Sequence, residues 1–313
     1  MLPHANTRDA HGVDYLDLRS PDRWILAPVD KLVFSYLVYI PLLVLIFGRP
    51  LADYAVIFWK NSIVAALALL VVRFCRIDRN WWSATIRVAY PALLFGYFYN
   101  QTGVVERLFF PDFFDRSLVA FEANTFGGDI SLWLDRHFLG ASVATFVTES
   151  LSACYFCYYL MFPAVLIPLL VVKRFGKVQE ILFACALTFF VSYNLFWLFP
   201  LEGPRWFFAS QYIHNIVGPV FRPMVNFVID NAAVHGGCMP STHAGVALVV
   251  MTFLWRDYRR WFWRTLPVFL GLCAGAVYGR FHYITDINVG LTVAALCVWA
   301  CQKWYPRADA QTR

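Results

Sequence analysis

A chain of 313 residues that is 60% hydrophobic, 19% aromatic and only 15% charged lies outside the soluble range, about 45–50% apolar and about 25% charged. Its mean hydropathy is +0.56, and apolar stretches recur along the whole length with basic punctuation, which argues against a soluble helical core. The formal net charge of +6 sits in short loops between those stretches, so the expected partners are membrane lipids and no nucleic acid.

Residues 1–31 are polar, carry Arg8, Arg19 and Arg23, and lack the charged, apolar and small-residue order of a cleavable signal. They are expected to form a cytoplasmic tail. About eight spans follow, at 32–48, 56–73, 88–103, 153–172, 181–199, 241–255, 265–281 and 286–302, each near the ~20 residues that cross a bilayer. The fold class is therefore all-α, a polytopic membrane helix bundle. Two N-terminal spans and a basic loop occupy 32–87, and 303–313 form a second tail.

With the N-terminus inside, eighteen Lys and Arg fall on the cytoplasmic side and seven on the other. That excess marks the cytoplasm and places both termini there. It also puts the segments around Gly203-Pro204-Arg205, Ser241-Thr242-His243 and His282–Asp286 on one non-cytoplasmic face.

Segment 104–152 is the exception to the apolar pattern. Leu118, Phe121, Ile130, Leu132, Trp133, Leu134 and Phe138 alternate with Asp115, Glu122, Asp129, Asp135 and Arg136, with Gly127-Gly128 as a turn. The pattern predicts short amphipathic helices on the outer interface, acting as surface packing, a lid or an acyl-chain guide. Cys154-x-x-Cys157 lies in an apolar run and reads as packing, and no disulfide framework is implied by the eight cysteines. Gly271, Gly275 and Gly279 lie on one helix face, a close-approach surface.

Ionisable groups inside apolar spans mark function. His282 and Asp286 are four apart, so at a helix start the carboxylate can fix the tautomer of the imidazole and leave its other nitrogen free as nucleophile or base. A structural His–Asp cap has the same spacing. His243 follows Ser241 by two at another helix start, where Ser is a good N-cap and free amides attract anions. A histidine there can protonate a leaving oxygen. Arg205 and Arg280 add permanent charge suited to phosphate, with interface anchoring as the alternative for each. Glu202 either orients Arg205 or lies exposed, and His4, His11, His137, His214 and His235 have no partner evident in the sequence.

At these residues the chain resembles the type 2 phosphatidate phosphatase superfamily, which shares its core with vanadium haloperoxidases. Pro240-Ser241-Thr242-His243 matches Pro-Ser-x-His, and His282 to Asp286 matches His-x3-Asp, within a similarity covering about 90–302. Gly-Pro-Arg at 203–205, Tyr278-Gly-Arg-Phe-His-Tyr and the segment from Phe121 to Trp133 are most similar to the branch of fungal inositol phosphorylceramide synthase and its bacterial relatives.

The resemblance implies a six-helix catalytic membrane domain over 88–302 that acts on a phospholipid or lipid-phosphate head group. His282 would be the nucleophile forming a phosphohistidine, Asp286 its orienting group, and His243 the acid and then the base. Gly203, Arg205, Ser241, Thr242 and Arg280 would lie around the phosphate oxygens. It implies no metal or other cofactor. Two family cations are missing: Leu198 stands where the phosphatase pattern has Lys, and Ala276 where it has Arg, while Trp206 replaces a Pro. Fewer cations favour head-group transfer to an alcohol without excluding water. The competing class is a non-catalytic binder or transporter of anionic lipids.

Overall fold

The computed structural model describes residues 26–47, 52–106, 108–140 and 143–304. Most of both tails, with His4 and His11, and the loop residues Arg49 and Arg107 lie outside these. The described residues are helical throughout and form no strand: α1 (Pro28–Phe47), α2 (Ala52–Phe74), α3 (Trp81–Val104), α4 (Asp115–Phe126), α5 (Ile130–His137), α6 (Ala144–Phe156), α7 (Tyr158–Val171), α8 (Phe175–Leu198), α9 (Pro204–Phe207), α10 (Phe221–Ala232), α11 (Thr242–Asp257), α12 (Arg259–Tyr278) and α13 (Ile284–Trp304).

Five helical stretches are long and apolar enough to cross a membrane: α1, residues 54–74 of α2, α6 with α7 as one 28-residue unit, α8, and 284–303 of α13. α3, α11 and α12 stand where the third, sixth and seventh spans were expected. The all-α bundle is thus as the composition indicates, with several boundaries moved, two of them for reasons the packing shows.

First, α3 begins at Trp81 rather than at 88 and so takes in Arg87. Arg87 is buried because its guanidinium grips Asp30 of α1 at 2.6 and 3.1 Å, with the Tyr90 hydroxyl donating to the same carboxylate at 2.7 Å. A paired and hydrogen-bonded charge tolerates burial that a lone one does not. Second, the fourth span is extended backwards by α6. Glu149 on α6 accepts from the amides of Val220, Phe221 and Arg222 at 3.1, 2.8 and 3.0 Å, capping α10, whose own N-cap Val220 offers no acceptor.

α8 is the axis of the bundle. From Val178 to Ala186 every residue is buried, as expected of a helix apolar on all sides. At its N-terminal end Lys177 reaches Asp257 at 2.9 Å, and Arg256 forks onto Glu180 at 2.7 and 3.0 Å. The basic loops 173–177 and 256–260 therefore share one end of the bundle, and the histidine motifs occupy the other.

Glycine sets two crossings there. α12 approaches α6 so closely that a Cβ on Gly275 would lie 2.7 Å from the Leu151 carbonyl oxygen, as the small-residue face predicts. α11 crosses α13 where a Cβ on Gly245 would lie 3.0 Å from the Gly290 carbonyl, and one on Gly290 would collide with the Ser241 carbonyl.

The short helices expected within 104–152 include α4 and α5, and they turn acidic residues into the protein. Asp115, Glu122 and Asp135 are 0–1% exposed, whereas Phe121 and Trp133 are 54% and 58% exposed. The carboxylates turn inward because each finds backbone donors in the loops beneath. The aromatic face is left outside, where a lipid interface would take it.

Candidate active site

Four chain segments meet at one end of the bundle: the α8–α9 turn, the start of α11, the α12–α13 turn and the inner faces of α4 and α5. The α11–α13 crossing sets their register. Ser241 N–H donates to the Asp286 carbonyl at 3.0 Å, so the first turn of α11 lies against the first turn of α13.

His243 and His282 come together with ring centroids 6.0 Å apart, inclined at 58°. His243 is half-buried in a tyrosine cage, its centroid 4.5 Å from that of Tyr158 and 5.1 Å from that of Tyr155. His243 Nδ1 is buried without a partner among the described residues. His282 is 6% exposed, and its Nδ1 lies 3.5 Å from Asp286 Oδ2. That leaves Nε2 as the nitrogen not engaged by the carboxylate.

Asp286 is fully buried. Its Oδ2 also accepts from Tyr283 N–H at 2.9 Å and from the Cys238 thiol at 2.8 Å. Burial, reinforced by Asp286, pushes the Cys238 thiol well up and keeps it a donor. Cys238 is a site residue that sequence reasoning missed; it read as one small hydrophobe among eight. Cys238, His282 and Asp286 offer sulfur, nitrogen and oxygen atoms within 4.8 Å of one another, a grouping that could hold a metal ion only once the thiol gave up its proton.

A cleft of about 70 Å³ opens beside the two imidazoles, and Arg205, Glu202, Trp206, Thr242, His243 and His282 are among its walls. Arg205 is the Lys or Arg side chain on this wall among the described residues. It pairs with Asp230 of α10 and lies over the Trp206 ring. Glu202 does not orient it. That carboxylate instead reaches His235 Nε2 at 3.2 Å, and His235 is held on its other side by Glu106.

The other expected binding residues divide. Thr242 is buried and lines the cleft. Ser241 is fully buried, and its hydroxyl caps α11 by accepting from Ala244 N–H at 3.4 Å. Gly203 has φ +93, and a Cβ there would lie 2.8 Å from Cys238 Sγ, so the turn requires glycine. Its N–H is taken by Asp115 Oδ1 at 2.9 Å.

Arg280 is held away from the cleft. It has φ +66, donates to Asp135 Oδ1 and to the His214 carbonyl, both at 2.7 Å, and stacks on Tyr212. These bonds offset the cost of a left-handed arginine and make it a clasp between α5 and the α12–α13 turn. His214 shares that clasp, its ring against Asp135, and His137 stacks on Trp133.

Three acids missed as site residues frame this arrangement. Asp115 accepts from Glu202 N–H, Gly203 N–H and the Tyr283 hydroxyl at 2.8, 2.9 and 2.8 Å. Glu122 accepts from Thr285 N–H at 2.9 Å. Asp135 accepts from Ile213 and His214 N–H at 2.7 and 3.1 Å. In sequence their only signal was their alternation with apolar residues.

Arg222 of α10 was also missed. It is 9% exposed, lies over the Phe281 ring, and leaves Nε without a partner. Burial, then Arg280 and Arg205, push it down to about 10.

The family model of the PAP2 superfamily matches residues 116–300, more than half of the chain. The chain belongs to the PAP2 superfamily. The matched span holds α4 to α13 almost whole and every expected site residue, and membership supports a phosphatase-type, lipid-phosphate function for the chain. No curated protein and no solved structure matches the chain.

Proposed function

We propose that this PAP2 protein is an integral-membrane lipid phosphatase or phosphotransferase that works through a phosphohistidine. The observation that carries the reading is the pair of imidazoles 6.0 Å apart, one backed by a buried carboxylate, on a small cleft edged by arginine. Phosphoryl transfer needs positioning and charge stabilisation more than covalent ingenuity, and this geometry supplies both.

His282 Nε2 attacks phosphorus while Asp286 holds the proton on Nδ1 and stabilises the cation that forms. The P–N bond forms as the bond from phosphorus to the lipid oxygen breaks, and His243 gives that oxygen its proton. His243, now neutral, takes a proton from the incoming water or alcohol, whose oxygen attacks phosphorus and releases His282. Arg205 and the Thr242 turn hold the phosphate oxygens through both steps. The first turn of α11 lends its unpaired amides and partial positive charge. Ser241 and Gly203 serve this site by capping and turning the backbone rather than by touching substrate. Arg280 positions the His282 loop. The Lys/Arg distribution supports a site on the non-cytoplasmic face with both termini inside.

The acceptor is argued from charge. With Leu198 and Ala276 in place of cations and Arg280 clasped to Asp135, Arg205 carries the positive charge at the cleft wall. A phosphodiester, with one negative charge, suits such a site better than a doubly charged monoester. This favours head-group transfer to an alcohol, the chemistry of the inositol phosphorylceramide synthase branch. Purified protein incubated with a lipid panel, with and without alcohol acceptors, tests the reading by product mass. New phosphodiester lipid supports transfer, and free phosphate supports hydrolysis. Lipid binding without any product would leave only a non-catalytic binder.

A further inference from the structure

We propose that the apolar cleft beneath His243 holds the hydrocarbon chain of the leaving alcohol, and that Gly96 sets the chain length accepted there. The proposal rests on the lipid phosphoester reading and extends it to the substrate's apolar part.

The cleft has a volume of about 290 Å³, at the low end of the ~300–1,000 Å³ typical of ligand pockets. Its walls come from α3, α7, α8, α10 and the first turn of α11. It shares Tyr99, Ile229, Ala233, Thr242 and His243 with the smaller polar cleft, so the two meet at the imidazole that protonates the leaving oxygen. Phe189 on its wall lies nine residues (198 − 189) before the end of α8, or ~13 Å along the helix axis. The cleft therefore descends from the phosphate site into the bundle.

The wall chemistry selects the occupant. Tyr193 donates its hydroxyl to the Phe95 carbonyl at 3.1 Å, and Tyr99 accepts from Val234 N–H at 3.2 Å. The Tyr193 proton is spent on backbone and the Tyr99 oxygen is engaged by an amide, and their rings contribute apolar wall beside Phe95, Phe189 and Ile229. A polar occupant would lose hydration there with few partners to replace it, whereas methylenes lose nothing. His243 serves the leaving oxygen first and the incoming oxygen second, so the cleft beside it is assigned to the chain of the lipid already bound when phosphorus is attacked.

Gly96 lies on this wall one turn before Tyr99 on the same face of α3, and a Cβ built there meets nothing within 4 Å. Gly96 is exposed and stands at the rim of the cleft, where an added Cβ displaces nothing. A larger side chain at this position is expected to narrow the cleft from that rim.

The test compares phosphoesters that differ only in acyl length, hydrolysed or transferred by the full-length protein in detergent. Gly96→Leu is expected to lower the ratio of long-chain to short-chain kcat/KM by at least tenfold, since a methylene-sized misfit is worth roughly 10–200-fold. Ala232→Leu enters the same cleft from α10, at an exposed position, and is expected to shift the ratio in the same direction. Active variants that both keep the wild-type ratio overturn the chain assignment while leaving the phosphoester reading intact. A variant that loses chain selectivity only for the acceptor alcohol overturns it equally, by giving the cleft to the other substrate. Absence of turnover on every phosphoester by the unaltered protein sinks the underlying reading and this proposal with it.

Discussion

Ser241 donates its backbone N–H to the carbonyl of Asp286 at 3.0 Å, and through that bond the two histidine motifs become one structure. The bond exists because α11 and α13 cross at Gly245 and Gly290, where neither helix carries a Cβ. Backbone contact at the crossing fixes the distance between His243 and His282 more firmly than side-chain packing would.

Gly290→Ala tests this crossing. Its new methyl would collide with the Ser241 carbonyl, and overpacking of this kind costs typically ~1–3 kcal/mol. Thermal unfolding in detergent should show that loss. Turnover measured well below the new melting temperature should fall as well, because the imidazoles are pushed apart. Unaltered stability and turnover would mean that the crossing does not hold the site.

Asp115 ties α4 to the α8–α9 and α12–α13 turns. Asp115→Ala leaves the Glu202 and Gly203 amides and the Tyr283 hydroxyl without their acceptor, at ~1–3 kcal/mol for each group left unsatisfied. Tyr283→Phe removes one of these bonds, at ~1 kcal/mol. The two melting temperatures should therefore fall in a graded series, the alanine variant by far the more. Equal melting temperatures would remove α4 from the framework of the site.

Arg205 and Arg280 were both candidates for phosphate contact in sequence, and they stand in different places: Arg205 on the cleft wall, Arg280 clasped to Asp135. Arg205→Gln should lower kcat/KM by roughly 10–100-fold, in the range of one or two charge-assisted contacts, with the melting temperature little changed. Arg280→Gln should do the reverse, lowering stability by unclasping Asp135 while KM stays close to wild type. The converse pattern would exchange the two roles.

Glu122 gives a pH test. Burial holds its carboxyl above the usual range, against the opposing hydrogen bond from Thr285. The folded state thus binds this proton more tightly than the unfolded state does. Stability contributed by the protonated form is complete below the ordinary carboxylate value and is lost as pH rises through the raised one. Glu122→Gln keeps an acceptor for Thr285 N–H and cannot ionise. Its stability relative to wild type should rise with pH across that window and level off above it, as read from melting curves. A difference that is flat with pH would show that the carboxyl is not perturbed.

The motifs His243, His282 and Asp286 were legible because their residue types are costly in apolar runs and their spacings place them at helix starts. The helices were legible from length, although among the described residues five stretches rather than eight are long and apolar enough to cross a membrane. A partner can also hide a charge. Arg87 reads as the end of a loop until Asp30, far away in sequence, neutralises it. The same blindness left the facing of α4 and α5 open, since alternation reports two faces without saying which is turned in. What decides is the donors waiting in loops 200–203, 213–214 and 283–285, and no local pattern encodes those. Arg280 and Ser241 looked like substrate contacts because their chemistry suits phosphate, yet Asp135 and the Ala244 amide had prior claim. Arg222 gave no signal, as the helix carrying it takes its cap from Glu149 on another helix.

The most direct measurement uses His243→Ala with a p-nitrophenyl phosphate ester, whose leaving group needs no proton. The account predicts a stoichiometric burst of nitrophenolate, a stalled second step, and a phosphoryl group mapped by mass spectrometry to His282. An adduct on any other residue, or undiminished steady turnover when His282 itself is changed to Ala, would contradict it.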